Sequence, residues 1–209
     1  MLLVISVSAA ERFPKLDDTD WGWWRGPNHN GIAAASAQPP LSWDNNTNIR
    51  WQVEILGRGH SSPSVVGDRV FLTTADETKQ TQHVICFKRS TGDVLWNKEI
   101  YQGKFDHNNK KNSFASSSVS CDGQQIYTSF FRDKKILTVA LTLQGELVWE
   151  HVYKGFASHQ GFGSSPLLYK ELVIMAADNK AEGGGLLTAV NRKNGEIIWE
   201  TPRPKCPNY

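Results

Sequence analysis

From residue 48 onward, short apolar runs of about five to eight residues alternate with turn signals, and no stretch places its apolar positions 3.6 residues apart. The pattern predicts strands and almost no helix. In the first unit, strands are expected over 51–55, 61–66, 69–74, 82–88 and 94–100, with turns at Gly67-Asp68 and at Ser90 to Gly92. The second unit repeats the plan, with strands expected over 116–119, 125–131, 135–142 and 147–152 and a turn at Asp122-Gly123. The third predicts strands over 164–168, 172–177, 186–191 and 197–201, with a glycine loop at Gly183 to Gly185. Four short strands in succession, each separated by a turn, make one antiparallel sheet.

One phrase marks the end of each unit: a turn glycine, an acid, two aliphatics and a tryptophan. It occurs as Gly92-Asp93-Val94-Leu95-Trp96, Gly145-Glu146-Leu147-Val148-Trp149 and Gly195-Glu196-Ile197-Ile198-Trp199. Trp51 is read as a degenerate earlier copy. A period near 40–50 residues marks propeller blades or similar arrays. The glycine permits positive φ in the turn between the third and fourth strands. The acid should lie exposed beside that turn, and the aliphatics and tryptophan should alternate along the strand. A tryptophan at one fixed place per sheet can bury a large area against the adjacent sheet while its N–H reaches a backbone carbonyl. Trp51, Gly92, Trp96, Gly145, Trp149, Gly195 and Trp199 are therefore assigned to docking between blades. The expected fold is all-β: a β-propeller of four-stranded antiparallel blades, with about three present and the ring incomplete. Ring closure takes about 4–8 blades, so the chain is expected to be an N-terminal fragment. The propeller region is set at 48–209, with a partial first strand at 48–55 and blades at about 61–100, 116–153 and 164–201.

Composition narrows the function classes. The apolar fraction of 39% and charged fraction of 21% suit a folded globular chain. The formal net charge of +2, with scattered basic residues, gives no electrostatic case for nucleic acid. The three cysteines, Cys86, Cys121 and Cys206, have no CxxC spacing, which excludes a zinc ribbon or a redox dithiol motif. Residues 1–10 form an apolar run ending in Ser8-x-Ala10 and are read as a signal peptide that predicts export to the periplasm or beyond. The run is too short to cross a bilayer as a helix, which takes about 20 residues. It lacks a preceding basic residue, and a disordered apolar start is the alternative. Residues 11–47 are a linker followed by an aromatic segment, Trp21-Gly22-Trp23-Trp24-Arg25-Gly26-Pro27, expected to lie across the propeller as an ordered strap.

The repeat resembles the tryptophan-docking motif of the pyrroloquinoline-quinone (PQQ)-like β-propeller superfamily. Ala189, Asn191, Gly195 and Trp199 carry the fullest copy; Ala140, Thr142, Gly145 and Trp149, and Cys86, Lys88, Thr91, Gly92 and Trp96, carry looser ones. The wider context resembles exported bacterial PQQ-like repeat proteins akin to the outer-membrane assembly lipoprotein BamB. That context is Trp24-Arg25-Gly26-Pro27-x-x-x-Gly31, Gly57-x-Gly59-x-Ser61-Ser62-Pro63, Asn112 to Ser117 and His159 to Pro166. The resemblance implies either a binding scaffold or a quinoprotein dehydrogenase. The dehydrogenases of the superfamily use a vicinal cysteine pair, a calcium held by Glu, Asn and Asp, and a catalytic Asp. No vicinal cysteine pair exists in this sequence.

No other constellation carries chemistry. Gly57-x-Gly59 and Gly161-x-Gly163 lack the helix and the Lys-Ser/Thr ending of a phosphate loop. The six histidines show no metal-binding spacing. The recurring pairs Ser61-Ser62 and Ser164-Ser165 are assigned to backbone groups at strand starts. Residues just before each pair should line the mouth of a central channel, which makes Arg58, His60, Asn112 and His159, with Lys111, the candidate binding set. The reading is an exported, non-enzymatic propeller scaffold that binds a protein or small ligand through its loops and channel. It expects no catalytic residue, no metal and no cofactor. The alternative is a fragment of a PQQ-dependent dehydrogenase-like oxidoreductase, with PQQ and calcium as cofactors. A carbohydrate-binding module is a third class, disfavoured because the aromatics recur at packing positions.

Overall fold

The structure, a computed structural model, describes residues 16–106, 109–154, 156, 158, 160–178 and 183–205. Three antiparallel sheets follow one another along the chain. The first is β1 (Ser64–Val66), β2 (Arg69–Asp76), β3 (Thr81–Lys88) and β4 (Val94–Gln102). The second is β5 (Ser120–Cys121), β6 (Gln125–Arg132), β7 (Lys135–Thr142) and β8 (Leu147–Lys154). The third is β9 (Leu167–Tyr169), β10 (Leu172–Ala177), β11 (Gly185–Asn191) and β12 (Ile197–Arg203). Each sheet keeps its strands in sequence order, so every connection within a sheet is a hairpin. The described residues contain no helix, and the three sheets do not close a ring.

The sheets stack face to face, and the side-chain period of two assigns residues to opposite interfaces. On β6, Ile126 and Phe130 join Phe71, Ala75 and Val84 of the first sheet. Their neighbours Tyr127 and Phe131 join Val173, Met175 and Val190 of the third. Leu137, Val139 and Leu141 on β7 face the first sheet, while Ile136 and Ala140 face the third. The middle sheet is thus buried on both faces, which is why β6 and β7 read as nearly continuous apolar runs. A third, smaller cluster places Trp51 and Val53 against Val70, Ile85 and Phe87 on the far face of the first sheet.

Two expectations need correcting. Residues 51–55 are not a strand. Trp51 and Val53 still pack on the first sheet, but the segment joins no ladder, because no described strand lies alongside to exchange backbone hydrogen bonds with it. The opening strands of the units are also shorter and later than the pattern implied, starting at Ser64, Ser120 and Leu167. The serines before them use their hydroxyls where a longer strand would make ladder bonds. Ser61 Oγ accepts from Thr73 N (3.0 Å) and donates to Thr73 O (3.2 Å), both on β2. Ser62 N donates to Ser118 Oγ, and Ser118 N donates in turn to Ser165 Oγ, each at 2.9 Å. The two serine-to-serine bonds run from one blade to the next.

The aromatic segment lies along the free edges of the short opening strands. Trp21 and Val65 exchange both backbone bonds, Trp21 N to Val65 O at 2.7 Å and Val65 N to Trp21 O at 2.9 Å. Cys121 N then donates to Gly22 O at 2.7 Å. Trp23 is buried in the cluster that includes Leu168. Three consecutive residues of the strap therefore reach β1, β5 and the start of β9.

Candidate functional site

The glycine-to-tryptophan phrase has one geometry in all three sheets. Gly92, Gly145 and Gly195 have φ of 80°, 85° and 74°. The carbonyl of the following acid closes the turn, accepting from Lys88 N, Thr142 N and Asn191 N, each at 2.8 Å. The ladder then slips at the residue before each tryptophan. Cys86 pairs with Trp96 but Phe87 with Val94, Ala140 with Trp149 but Leu141 with Leu147, and Ala189 with Trp199 but Val190 with Ile197. Leu95, Val148 and Ile198 are thus bulge residues, and both aliphatics of each phrase are exposed instead of alternating between faces.

Trp51, Trp96 and Trp149 each serve the turn of the next sheet, and Trp199 makes no such contact among the described residues. Trp51 Nε1 donates to Arg89 O at 2.8 Å, Trp96 Nε1 to Leu143 O at 2.9 Å, and Trp149 Nε1 to Arg192 O at 2.8 Å. The indoles lie on the turn glycines: a Cβ at Gly92 would stand 2.7 Å from the Trp51 ring, at Gly145 2.9 Å from Trp96, and at Gly195 2.8 Å from Trp149. The glycine is needed twice, for its φ and for the absence of a side chain beneath the ring. At the second interface a buried ion pair adds to the packing. Arg192 Nη1 lies 2.9 Å from Asp122 Oδ2, with side-chain exposures of 8% and 3%, and Tyr127 Oη donates to the same carboxylate oxygen at 2.9 Å.

The loop residues expected at a channel mouth sit on the connections between sheets. Arg58 exchanges backbone bonds with Ala75 at the end of β2. Gly57 and Gly59 let the loop lie on the Ala75 and Thr73 carbonyls, which a Cβ at either position would strike. That contact, and not phosphate binding, accounts for the glycine pair. The Arg58 guanidinium reaches the next connection, with Nη2 donating to Lys110 O at 2.9 Å. His60 N donates to Ala115 O at 3.0 Å, and the His60 side chain is exposed. Asn112 Nδ2 donates to Gln160 O at 2.6 Å on the third connection. Arg58, His60 and Asn112 therefore stitch three successive loops together. Lys111 is exposed on the middle loop. His159 lies outside the described residues.

Nothing described in this stretch assembles a reactive centre. Among the described residues no three His, Cys, Asp or Glu side chains are grouped to hold a metal ion. Cys86 and Cys121 are free and buried, and burial pushes both thiols up to about 12, so neither is a nucleophile near neutral pH. A pocket that the sequence did not reveal lies between the strap and the start of β9. Trp23, Trp24, Arg25 and His29 line one side, and Ser165 to Leu168 the other.

Comparison with known proteins places these features. A family described as outer membrane protein assembly factor BamB matches residues 21–160. No curated protein sequence matches the chain. Among solved structures, a europium-containing methanol dehydrogenase superposes with a TM-score of 0.59 at 15% identity, covering 89% of this chain and 32% of that one. A quinohemoprotein alcohol dehydrogenase from Comamonas testosteroni gives 0.49 at 19% identity, over 70% of this chain and 21% of that one. BamB from Moraxella catarrhalis gives 0.43 at 15% identity, over 75% and 55%. The chain spans about a third or less of the length of the two dehydrogenases. Among the described residues no helix is long and apolar enough to cross a membrane. With its docked blades and a match over well more than half its length, the chain belongs to the PQQ-like β-propeller repeat family described as outer membrane protein assembly factor BamB.

Proposed function

We propose that this protein is an exported, non-enzymatic propeller scaffold that binds a protein partner through the face formed by its connecting loops. The observation that carries the reading is the series of bonds Arg58–Lys110, His60–Ala115 and Asn112–Gln160, which hold polar loop residues in fixed positions from blade to blade. Loops held in this way lose less conformational entropy on binding. The family description, an assembly factor of the outer membrane, supports both export and protein binding. The apolar run at 1–10 supports export. The test has two parts. The tagged chain should fractionate with periplasmic markers, and a photo-crosslinker at position 60 should capture a specific protein that one at position 193, on the β11–β12 turn, does not. Recovery in the cytoplasm, or equal capture at both positions, counts against the proposal.

The second reading, part of a quinoprotein oxidoreductase, draws support from the fold likeness to the methanol dehydrogenase. Reconstitution with PQQ and calcium, followed by dye reduction with a primary alcohol, separates the two. Turnover would overturn the scaffold reading.

A further inference from the structure

In the loop over residues 23–31, Trp23 packs into the cluster between the second and third sheets, while Trp24, Arg25 and His29 stay exposed. Gly26 N donates to Trp23 O and His29 N to Gly26 O, each at 3.0 Å, and Gly31 N closes the loop on Arg25 O at 2.9 Å. These turns lay the His29 ring on Trp23, with centroids 5.4 Å apart and 18° between planes, and carry the Arg25 guanidinium to 5.7 Å from the Trp24 ring. Arg25 and His29 hold φ of 67° and 54°, where a glycine or asparagine would sit more easily. Trp24 is 57% exposed, unlike the packing tryptophans. Between this loop and Leu167-Leu168 lies a cavity of about 240 Å³, roughly the liquid volume of eight waters.

The lining has a clear chemical bias. Its walls are indole rings, a proline and leucines. Its charged or titratable side chains are Arg25 and His29, and no Asp, Glu, Asn or Gln lines it. Ser165 Oγ already accepts from Ser118 N. A sugar, whose hydroxyls both donate and accept, would find donors but few acceptors here. An acceptor-only group on an apolar body matches both halves of the lining, and a guanidinium favours a planar carboxylate.

We propose that the Trp23–Gly31 loop and the start of β9 form a binding site for a small organic carboxylate with an apolar body. The site is independent of the loop face assigned to a protein partner. The probe is phenylacetate, titrated into the full chain by calorimetry and by tryptophan fluorescence. Saturable binding at one site per chain is expected. Arg25→Gly and Arg25→Gln should each weaken it at least tenfold, and His29→Asn several-fold. Glycine and asparagine accept the positive φ at these positions, and Arg25→Gln leaves the stem in place, so unchanged thermal midpoints are expected. The neutral analogue 2-phenylethanol should bind at least tenfold more weakly, and inorganic phosphate should not compete. Lack of saturable phenylacetate binding, equal affinity for 2-phenylethanol, competition by phosphate at matched concentration, or full affinity in both Arg25 variants would each overturn the assignment.

Discussion

At the scale of single residues, the turn glycine and the indole above it act as one unit. Gly145 holds φ of 85°, and its missing Cβ is what lets the Trp96 ring approach. Gly145→Ala should lower stability by about 2 kcal/mol or more, since left-handed backbone alone costs an L-residue roughly 1–2 kcal/mol and the ring must also move. Urea unfolding measures this. Gly145→Asn, which tolerates the backbone but not the ring contact, tells the two contributions apart. The Arg192–Asp122 pair is buried, so breaking it from one side leaves an uncompensated charge. Arg192→Met should cost about 3–5 kcal/mol, and the double change Arg192→Met with Asp122→Asn, which keeps an acceptor for Gln124 N and Gln125 N, should cost clearly less.

Buried titrating groups set an alkaline limit. Burial, and then the Asp122 charge, raises the Tyr127 phenol pKa, while burial raises Cys86 and Cys121 to about 12. Each group holds its proton more tightly when folded. The stabilisation is therefore complete below the unfolded values, 9.0 for the thiols and 10.0 for the phenol, and is lost as pH rises toward the folded ones. The urea midpoint should be level from pH 7 to about 8.5 and fall above about 9. Tyr127→Phe should flatten the part of the fall above about pH 10.

At the scale of elements, each blade depends on what covers it. β6 and β7 are buried along almost their whole length. β10 alternates buried with half-buried positions, and β12 is exposed apart from Trp199, which is half-buried. In a stacked array, stability is close to a sum of terms within a repeat and between neighbours. The third sheet, with one packed interface, should open before the second, which has two. Amide hydrogen exchange should show β10 and β11 exchanging at least tenfold faster than β6 and β7. Equal protection would mean that the sheets unfold as one cooperative unit.

At the scale of the molecule, the devices that join the blades include indole on glycine, serine to serine, and the strap across β1 and β5. The sequence determined the first. Its residues are local, recur at a fixed period, and have few other physical uses in that combination. The four strands of each sheet and their order were legible for the same reason, since turns and period-two patterns are local. What only the tertiary structure decided depends on distant chain. The direction of docking, with Trp51, Trp96 and Trp149 each serving the following turn, needs two sheets side by side. Residues 51–55 carry a strand pattern but form none, because a strand exists only when another lies alongside to take its hydrogen bonds. The exposed aliphatic pairs follow from a bulge that is a property of paired strands and cannot be read from one. The same holds for the Arg25–His29 pocket, whose second wall comes from a segment more than a hundred residues away.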